Sequence, residues 1–267
     1  METNRVESKF SVSQQEQFKQ QGYLLLKNVV SSQLITTLRD FVQESLNPLV
    51  GPVEYEVKTG YPGAPASWDA PGGETPRRLL HALARSPMFH ELAGHPKVAQ
   101  ALKILLGSQD VLVSQCHHNC VMTKHPGFSS ATLWHQDIRY WSFDEPNLIS
   151  AWFGLEQEDR KNGSLRVIPQ SHLLELDRGR LDQDLFLRPD LPENRQLIHQ
   201  AVQVELDPGD VLLFHCKTFH AAGKNLSQKV KLSPVFTYHT SNNHPIRNTR
   251  SAQLPGIPIA DLKNAGA

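Results

Sequence analysis

The chain is 267 residues long, and its 27 Lys plus Arg are balanced by 27 Asp plus Glu, so it has no basic field with which to neutralise phosphates, and nucleic acid is not expected as a partner. The opening METNRVESKF lacks the apolar run of a secretion signal, and no stretch reaches the ~18 consecutive apolar residues that would cross a bilayer, so a cytoplasmic protein without a membrane partner is expected. All-β sandwiches and barrels reach roughly 200 to 250 residues as one unit, so a single domain over residues 1–267 is expected, of oligomeric state that composition leaves open.

In chain order, a helix is expected over residues 13–21, stopped by Gly22, and Tyr23-Leu24-Leu25-Leu26 is strand-like. A second helix should start at Ser31 or Ser32, polar caps ahead of Leu34, Ile35, Leu38, Phe41 and Val42, whose spacing forms one apolar face for packing on a sheet. Residues 51–76 are rich in Gly and Pro and too long for a simple connector, which suggests a lid that is mobile without ligand. Helical patterns follow around residues 78–84 and 97–106, the second closing at Gly107. From Asp110 onward, short apolar or alternating segments are separated by turn residues, at 110–123, 147–156, 164–168, 201–206, 210–215 and 231–240. Asp207-Pro208-Gly209-Asp210 is a tight turn by composition. The fold class this predicts is mainly β with a helical N-terminal layer: residues 12–108 packed on a double-stranded β-helix, a cupin-like jelly roll, over residues 109–242.

Three cysteines, odd in number and without C-x-x-C spacing, read as reduced thiols. Cys116-His117-His118-Asn119-Cys120 has the composition of a metal cluster, but strand alternation would send His117 to the face opposite Cys116, His118 and Cys120, so ordinary strand packing is expected there.

The sharpest chemical signal is Leu133-Trp134-His135-Gln136-Asp137. In an extended segment His135 and Asp137 project to one face, so an imidazole nitrogen and a carboxylate oxygen can meet one metal ion. A third ligand must come from elsewhere, and two histidines with one carboxylate, leaving three positions open, is the arrangement that suits non-haem iron(II) oxygenases. Downstream, a turn at Pro208-Gly209-Asp210 leads through an apolar strand to two histidines, and on chemistry alone either His215 or His220 could complete the set.

The chain resembles the phytanoyl-CoA dioxygenase family of iron(II)- and 2-oxoglutarate-dependent oxygenases. The matching pieces are Gly22-Tyr23-Leu24, Trp134-His135-Gln136-Asp137, Tyr140-Trp141, Ala151-Trp152, Asn162-Gly163-Ser164 through Pro169-Gln170-Ser171-His172, and Pro208-Gly209-Asp210 through Asn225-Leu226-Ser227, in the family's order and spacing. The resemblance implies His135, Asp137 and His220 as catalytic metal ligands, and leaves His215 inside the preceding strand. It implies Fe(II), 2-oxoglutarate and O2 as metal, cosubstrate and oxidant, with ascorbate as an accessory reductant, and hydroxylation of a small organic substrate with release of succinate and CO2. It places Lys231 where the family has an arginine for the distal carboxylate of 2-oxoglutarate, and by analogy turns Gln136, Trp152 and His117 toward the cosubstrate. Arg139, Tyr140 and Trp141, which follow the ligand strand directly, and Arg77 and Arg78 are candidates for the substrate side. Halogenating relatives lack the carboxylate ligand, so Asp137 disfavours halogenation. Two departures, Lys231 for arginine and Ala222 for a hydroxyl residue, leave an alternative: a non-catalytic jelly roll that binds or regulates while retaining a metal site.

Overall fold

The computed structural model describes residues 10–264; the stretch read for a secretion signal lies, up to residue 9, outside the described residues. The first helix, α1 (Val12–Gln21), is opened by a reciprocal cap in which Ser11 accepts from the Gln14 amide and the Gln14 side chain accepts from the Ser11 amide. It ends at Gly22, whose φ of 79° is left-handed and whose missing Cβ would stand 2.3 Å from His172 Nδ1, so no other residue fits. Then come β1 (Tyr23–Leu26) and α2 (Ser32–Glu44), the latter capped by the Ser31 hydroxyl and burying Leu34, Ile35, Leu38 and Val42.

Next are β2 (Val53–Tyr55), β3 (Pro76–Leu80), α3 (Ala82–Arg85), α4 (Pro87–Ala93) and α5 (Pro96–Leu106). The β region follows with β4 (Val111–Val113), β5 (Asn119–Lys124), β6 (Thr132–His135), β7 (Ile149–Phe153), β8 (Leu165–Val167), the helix α6 (Pro192–His199), β9 (Val202–Gln203), β10 (Val211–His215), β11 (His220–Ala222), β12 (Lys231–Thr240) and β13 (Ile257–Pro258). Two antiparallel sheets result. The larger runs β1-β10-β7-β12-β5-β3-β2, with β4 on β12 and β13 on β4; the smaller runs β6-β11-β8-β9.

Strand alternation assigns the two faces of the large sheet. Val211 and Leu213 of β10, Ile149, Ala151 and Phe153 of β7, and Leu232, Phe236 and Tyr238 of β12 join the core formed with α2, α4 and α5. Leu212 and Phe214, Trp152 and Val235 point the other way and meet Leu165 and Val167 of the small sheet. Each fully buried Leu or Phe contributes about 1.5–3 kcal/mol. This two-sided burial makes β7 and β10 nearly continuous apolar runs, whereas β12 alternates, with Leu232, Phe236 and Tyr238 on the helix side and Lys231, at an odd position, on the face between the sheets.

Four local expectations needed revision. Residues 78–84 are not one helix: β3 pairs on one side with β2 and on the other with β5, which satisfies its backbone in extended form, and only Ala82–Arg85 coils. The Gly/Pro-rich stretch is not all loop, because Val53 and Glu54 are paired with Leu79 and Arg78, and Glu56 is buried; turns occupy the remainder up to residue 75. Asp137 lies not in an extended strand but at the start of a 3-10 turn, Asp137–Tyr140. Residues 115–118 bend, and β5 begins only at Asn119, so the alternation assumed for Cys116 to Cys120 does not apply and His117 and His118 line a common chamber. The helices α4 and α6 were not foreseen. The three cysteines are free, as expected.

Candidate metal centre

β11 is hydrogen-bonded between β6 and β8, and its register pairs His220 with His135, bringing the two imidazoles to a ring separation of 4.3 Å. Gln136 stays extended (φ −106°, ψ 137°), and the turn that follows carries the Asp137 carboxylate back to the same point. Asp137 Oδ1 lies 3.6 Å from His135 Nε2 and 3.5 Å from His220 Nε2, and one donor atom from each residue falls within 4.8 Å of the others. Among the described residues no other trio of His, Cys, Asp or Glu donors converges in this way.

The hydrogen bonds fix the chemistry of these donors. His135 Nδ1 donates to the Leu133 carbonyl (2.8 Å) and His220 Nδ1 to the Thr218 carbonyl (3.0 Å), which leaves both Nε2 lone pairs facing Asp137. Burial, then the neighbouring His135, pushes the His220 pKa down to about 4, so it is a neutral ligand at ordinary pH. Burial alone would raise the Asp137 carboxyl, but the surrounding His118, His220 and His135 hold it well below the usual carboxylate range. Asp137 Oδ2 accepts from the Ser150 hydroxyl at 3.3 Å, whereas Oδ1 is buried without a hydrogen-bond partner. An orphaned carboxylate oxygen facing two imidazole lone pairs is the donor set a divalent cation satisfies, and its N2O composition fits iron(II).

An inner chamber opens from these ligands toward β12. Trp152, Leu165, Ala222, Lys124 and Lys231 line it. Lys231 is buried and its ammonium is 2.7 Å from Glu158 Oε2 and 3.1 Å from Ser233 Oγ. Glu158, itself fully buried, also accepts from Ser233 (2.6 Å) and from the Trp152 indole (3.0 Å). Lys231 is therefore not an isolated cation; its anion is built into the fold. Lys124 is different. Its ammonium is held by two carbonyls, Gly223 at 2.6 Å and Ser130 at 3.0 Å, and burial, aided by Lys231, pushes its pKa down to about 7. Gly163 makes room for it, since a Cβ there would sit 2.5 Å from the Gly223 carbonyl and 3.0 Å from the Lys124 stem.

The other residues singled out from sequence divide. His215 is outside the trio, its ring tilted against His172 at 5.6 Å and accepting from the Lys217 amide. Trp152 lines the inner chamber, but Gln136 donates to the Lys217 carbonyl (2.6 Å) and is absent from the lining. His117 lines a second, outer chamber with Arg78, Tyr140 and Trp141, and bonds Ser251 at 2.8 Å. Arg139 lies 3.8 Å above the Phe186 ring and bonds the Tyr140 hydroxyl, outside both linings. Arg77 is tied to Glu56 and to the hydroxyls of Ser130 and Thr132. Sequence reasoning missed His118, whose Nδ1 is 3.6 Å from Asp137 Oδ2, as well as Lys124, Glu158 and Phe186. For His118 the signal was present in the run Cys116 to Cys120; Glu158 and Phe186 sit in connecting segments with no local mark.

The family profile described as Phytanoyl-CoA dioxygenase (PhyH) matches residues 18–233. A probable phytanoyl-CoA dioxygenase of Caenorhabditis elegans is 26% identical over 236 residues, covering 82% of this chain and 72% of its own. An ectoine dioxygenase of Bordetella bronchiseptica is 26% identical over 252 residues, covering 87% of this chain and 76% of its own. The crystal structure of EctD from S. alaskensis with 2-oxoglutarate and 5-hydroxyectoine superposes with a TM-score of 0.74 at 21% identity, covering 97% of this chain and 88% of that one, which establishes the shared jelly-roll fold. With the profile matched over residues 18–233 of a chain that also brings His135, Asp137 and His220 together, the chain belongs to the phytanoyl-CoA dioxygenase family.

Proposed function

We propose that this chain is an Fe(II)- and 2-oxoglutarate-dependent dioxygenase that hydroxylates a small organic substrate and releases succinate and CO2. The observation that carries this reading is the buried, unpartnered Asp137 Oδ1 facing the Nε2 lone pairs of His135 and His220. Iron(II) held there would supply open positions for the oxoacid and O2 and the oxidising power of the reaction. The chain's own residues do the rest. An ammonium has three donors, and Lys231 uses two on Glu158 and Ser233, which leaves one for the distal carboxylate of 2-oxoglutarate. Lys124, whose pKa burial holds near 7, lines the same chamber and gains its positive charge as the oxoacid binds. Leu165, Ala222 and Trp152 form walls that exclude water from the oxoacid, which strengthens each of these charge interactions. On the substrate side, Arg78, Tyr140 and Trp141 line the outer chamber, and Arg139 supports it indirectly by bonding the Tyr140 hydroxyl.

The test is uncoupled turnover: purified protein given iron(II), ascorbate and 2-oxoglutarate in air should release succinate above the rate of an Asp137→Ala variant. Metal binding without any affinity for 2-oxoglutarate would support instead a binding or regulatory jelly roll.

A further inference from the structure

The outer chamber, about 320 Å3 in volume, shares Arg77, Arg78 and His118 with the inner one, so a molecule in it lies beside the metal ligands. Its charged lining is one-sided, with Lys58, Arg77, Arg78 and Arg250 facing a single acid, Glu54. Glu54 is divided between Arg77 (3.5 Å) and Arg78 (3.6 Å), and Arg77 is further occupied by Glu56. Among the described residues neither Lys58 nor Arg250 has a carboxylate within ion-pair distance, and the buried Nε of Arg78 faces Glu54 Oε1 at 3.6 Å, too far for a hydrogen bond. His117 adds nothing to this surplus, since it is uncharged, its pKa pushed down to about 3 by burial and by Arg250. The remaining wall is aromatic, from Tyr61, Tyr140 and Trp141.

Building on the dioxygenase reading above, we propose that the prime substrate is a compact carboxylate, its anionic group received by Arg78 and Arg250 and its carbon skeleton lying against Tyr61, Tyr140 and Trp141 toward the metal. A guanidinium presents parallel N–H donors that match a carboxylate, and one acid shared by two arginines leaves this cationic lining short of an anion. Ligand pockets span roughly 300 to 1,000 Å3, and this one lies near the lower end, which suits a small acid rather than a nucleotide-bearing thioester.

The test uses the iron(II)-reconstituted protein with 2-oxoglutarate under anaerobic conditions, titrated with the standard amino acids, cyclic imino acids and short hydroxy acids, each paired with its amide, and with acetyl-coenzyme A. Binding is read by calorimetry, and succinate release is then followed on admitting air. At least one carboxylate should bind and accelerate succinate release, its amide binding about tenfold or more weaker. In Arg78→Ala that preference for acid over amide should collapse to about twofold or less, Arg78→Lys should restore part of it, and Arg250→Ala should reduce it. Amides binding as well as acids, binding confined to acetyl-coenzyme A, or no acid binding while 2-oxoglutarate does, would overturn the proposal and leave the dioxygenase reading intact. Should 2-oxoglutarate itself fail to bind, that reading falls, and the acid-over-amide preference of the metal-free protein then decides the present proposal by its presence or absence.

Discussion

The Lys231–Glu158 pair permits a quantitative test of how the inner chamber is held. The two side chains are 3% and 0% exposed, their charges are 2.7 Å apart, and the carboxylate keeps only the Ser233 and Trp152 donors if the ammonium is removed. Removing one partner of such a buried pair costs about 3–5 kcal/mol, because the other charge is stranded, whereas replacing both by neutral groups of similar size is near neutral. Lys231→Met and Glu158→Gln should therefore each destabilise strongly, and the double variant should recover most of the loss, so that the coupling is at least as large as either single loss. For a chain of this size each kcal/mol moves the melting temperature by roughly 2–4 °C, so the single variants should melt about 6–20 °C lower. Urea denaturation of the metal-free proteins measures the cycle, and parallel titration separates stability from ligand binding. Glu158→Gln should bind 2-oxoglutarate at least as well as the parent, since it frees Lys231, while Lys231→Met should bind it roughly one to two orders of magnitude more weakly, having lost a charge-assisted hydrogen bond. Additive single losses below about 1 kcal/mol, or unaltered 2-oxoglutarate affinity in Lys231→Met, would refute this description of the chamber.

Further outcomes follow from the same geometry. His135→Ala, Asp137→Ala and His220→Ala should each lose most bound iron by metal analysis, while His215→Ala, outside the trio, should retain it. Lys124 has a folded pKa of about 7 against an ordinary 10.5, so the unfolded chain holds more protons between those values and stability should rise with pH across that window. The stabilisation expected of Lys124→Met, on the order of a few kcal/mol, should then be largest below pH 7 and fade toward pH 10 in denaturation curves. Bound 2-oxoglutarate should raise the Lys124 pKa, so calorimetry in buffers of different ionisation heat should show proton uptake on binding at pH 8. Asp137→Gly should abolish hydroxylation without efficient chlorination in chloride buffer, because an open ligand position does not itself hold the target carbon away from hydroxyl transfer. Under hydrogen exchange, residues 53–56, tied into the sheet, should be protected, while the turns up to residue 75 should exchange faster until substrate binds.

What sequence could convey follows from how far each interaction reaches. The jelly-roll class and the strands at 210–215 and 231–240 were legible, because burial on both faces writes an apolar run into β10 and β12 alternates apolar with polar residues. His135 and Asp137 were legible from their spacing, although the geometry that unites them is a strand end followed by a 3-10 turn rather than a continuous strand. Separating His220 from His215 required the family resemblance, and the reason is visible only in register: His220 is opposite His135, whereas His215 is opposite Ile149 on the other sheet. The Glu158 partner of Lys231 was invisible, being 73 positions away in a connecting segment. Arg78 was misread as helical because β3 takes its conformation from β2 and β5 on either side, a tertiary effect that local propensity does not record.

The most direct measurement of the central claim is anaerobic titration of the iron(II) protein with 2-oxoglutarate, followed by the metal-to-ligand absorption band that forms only when the oxoacid chelates iron. A saturable band with one iron per chain in the parent, absent in Asp137→Ala and His220→Ala, is the expected result. Stoichiometric iron binding with no such band, or a band that survives loss of His220, would contradict it.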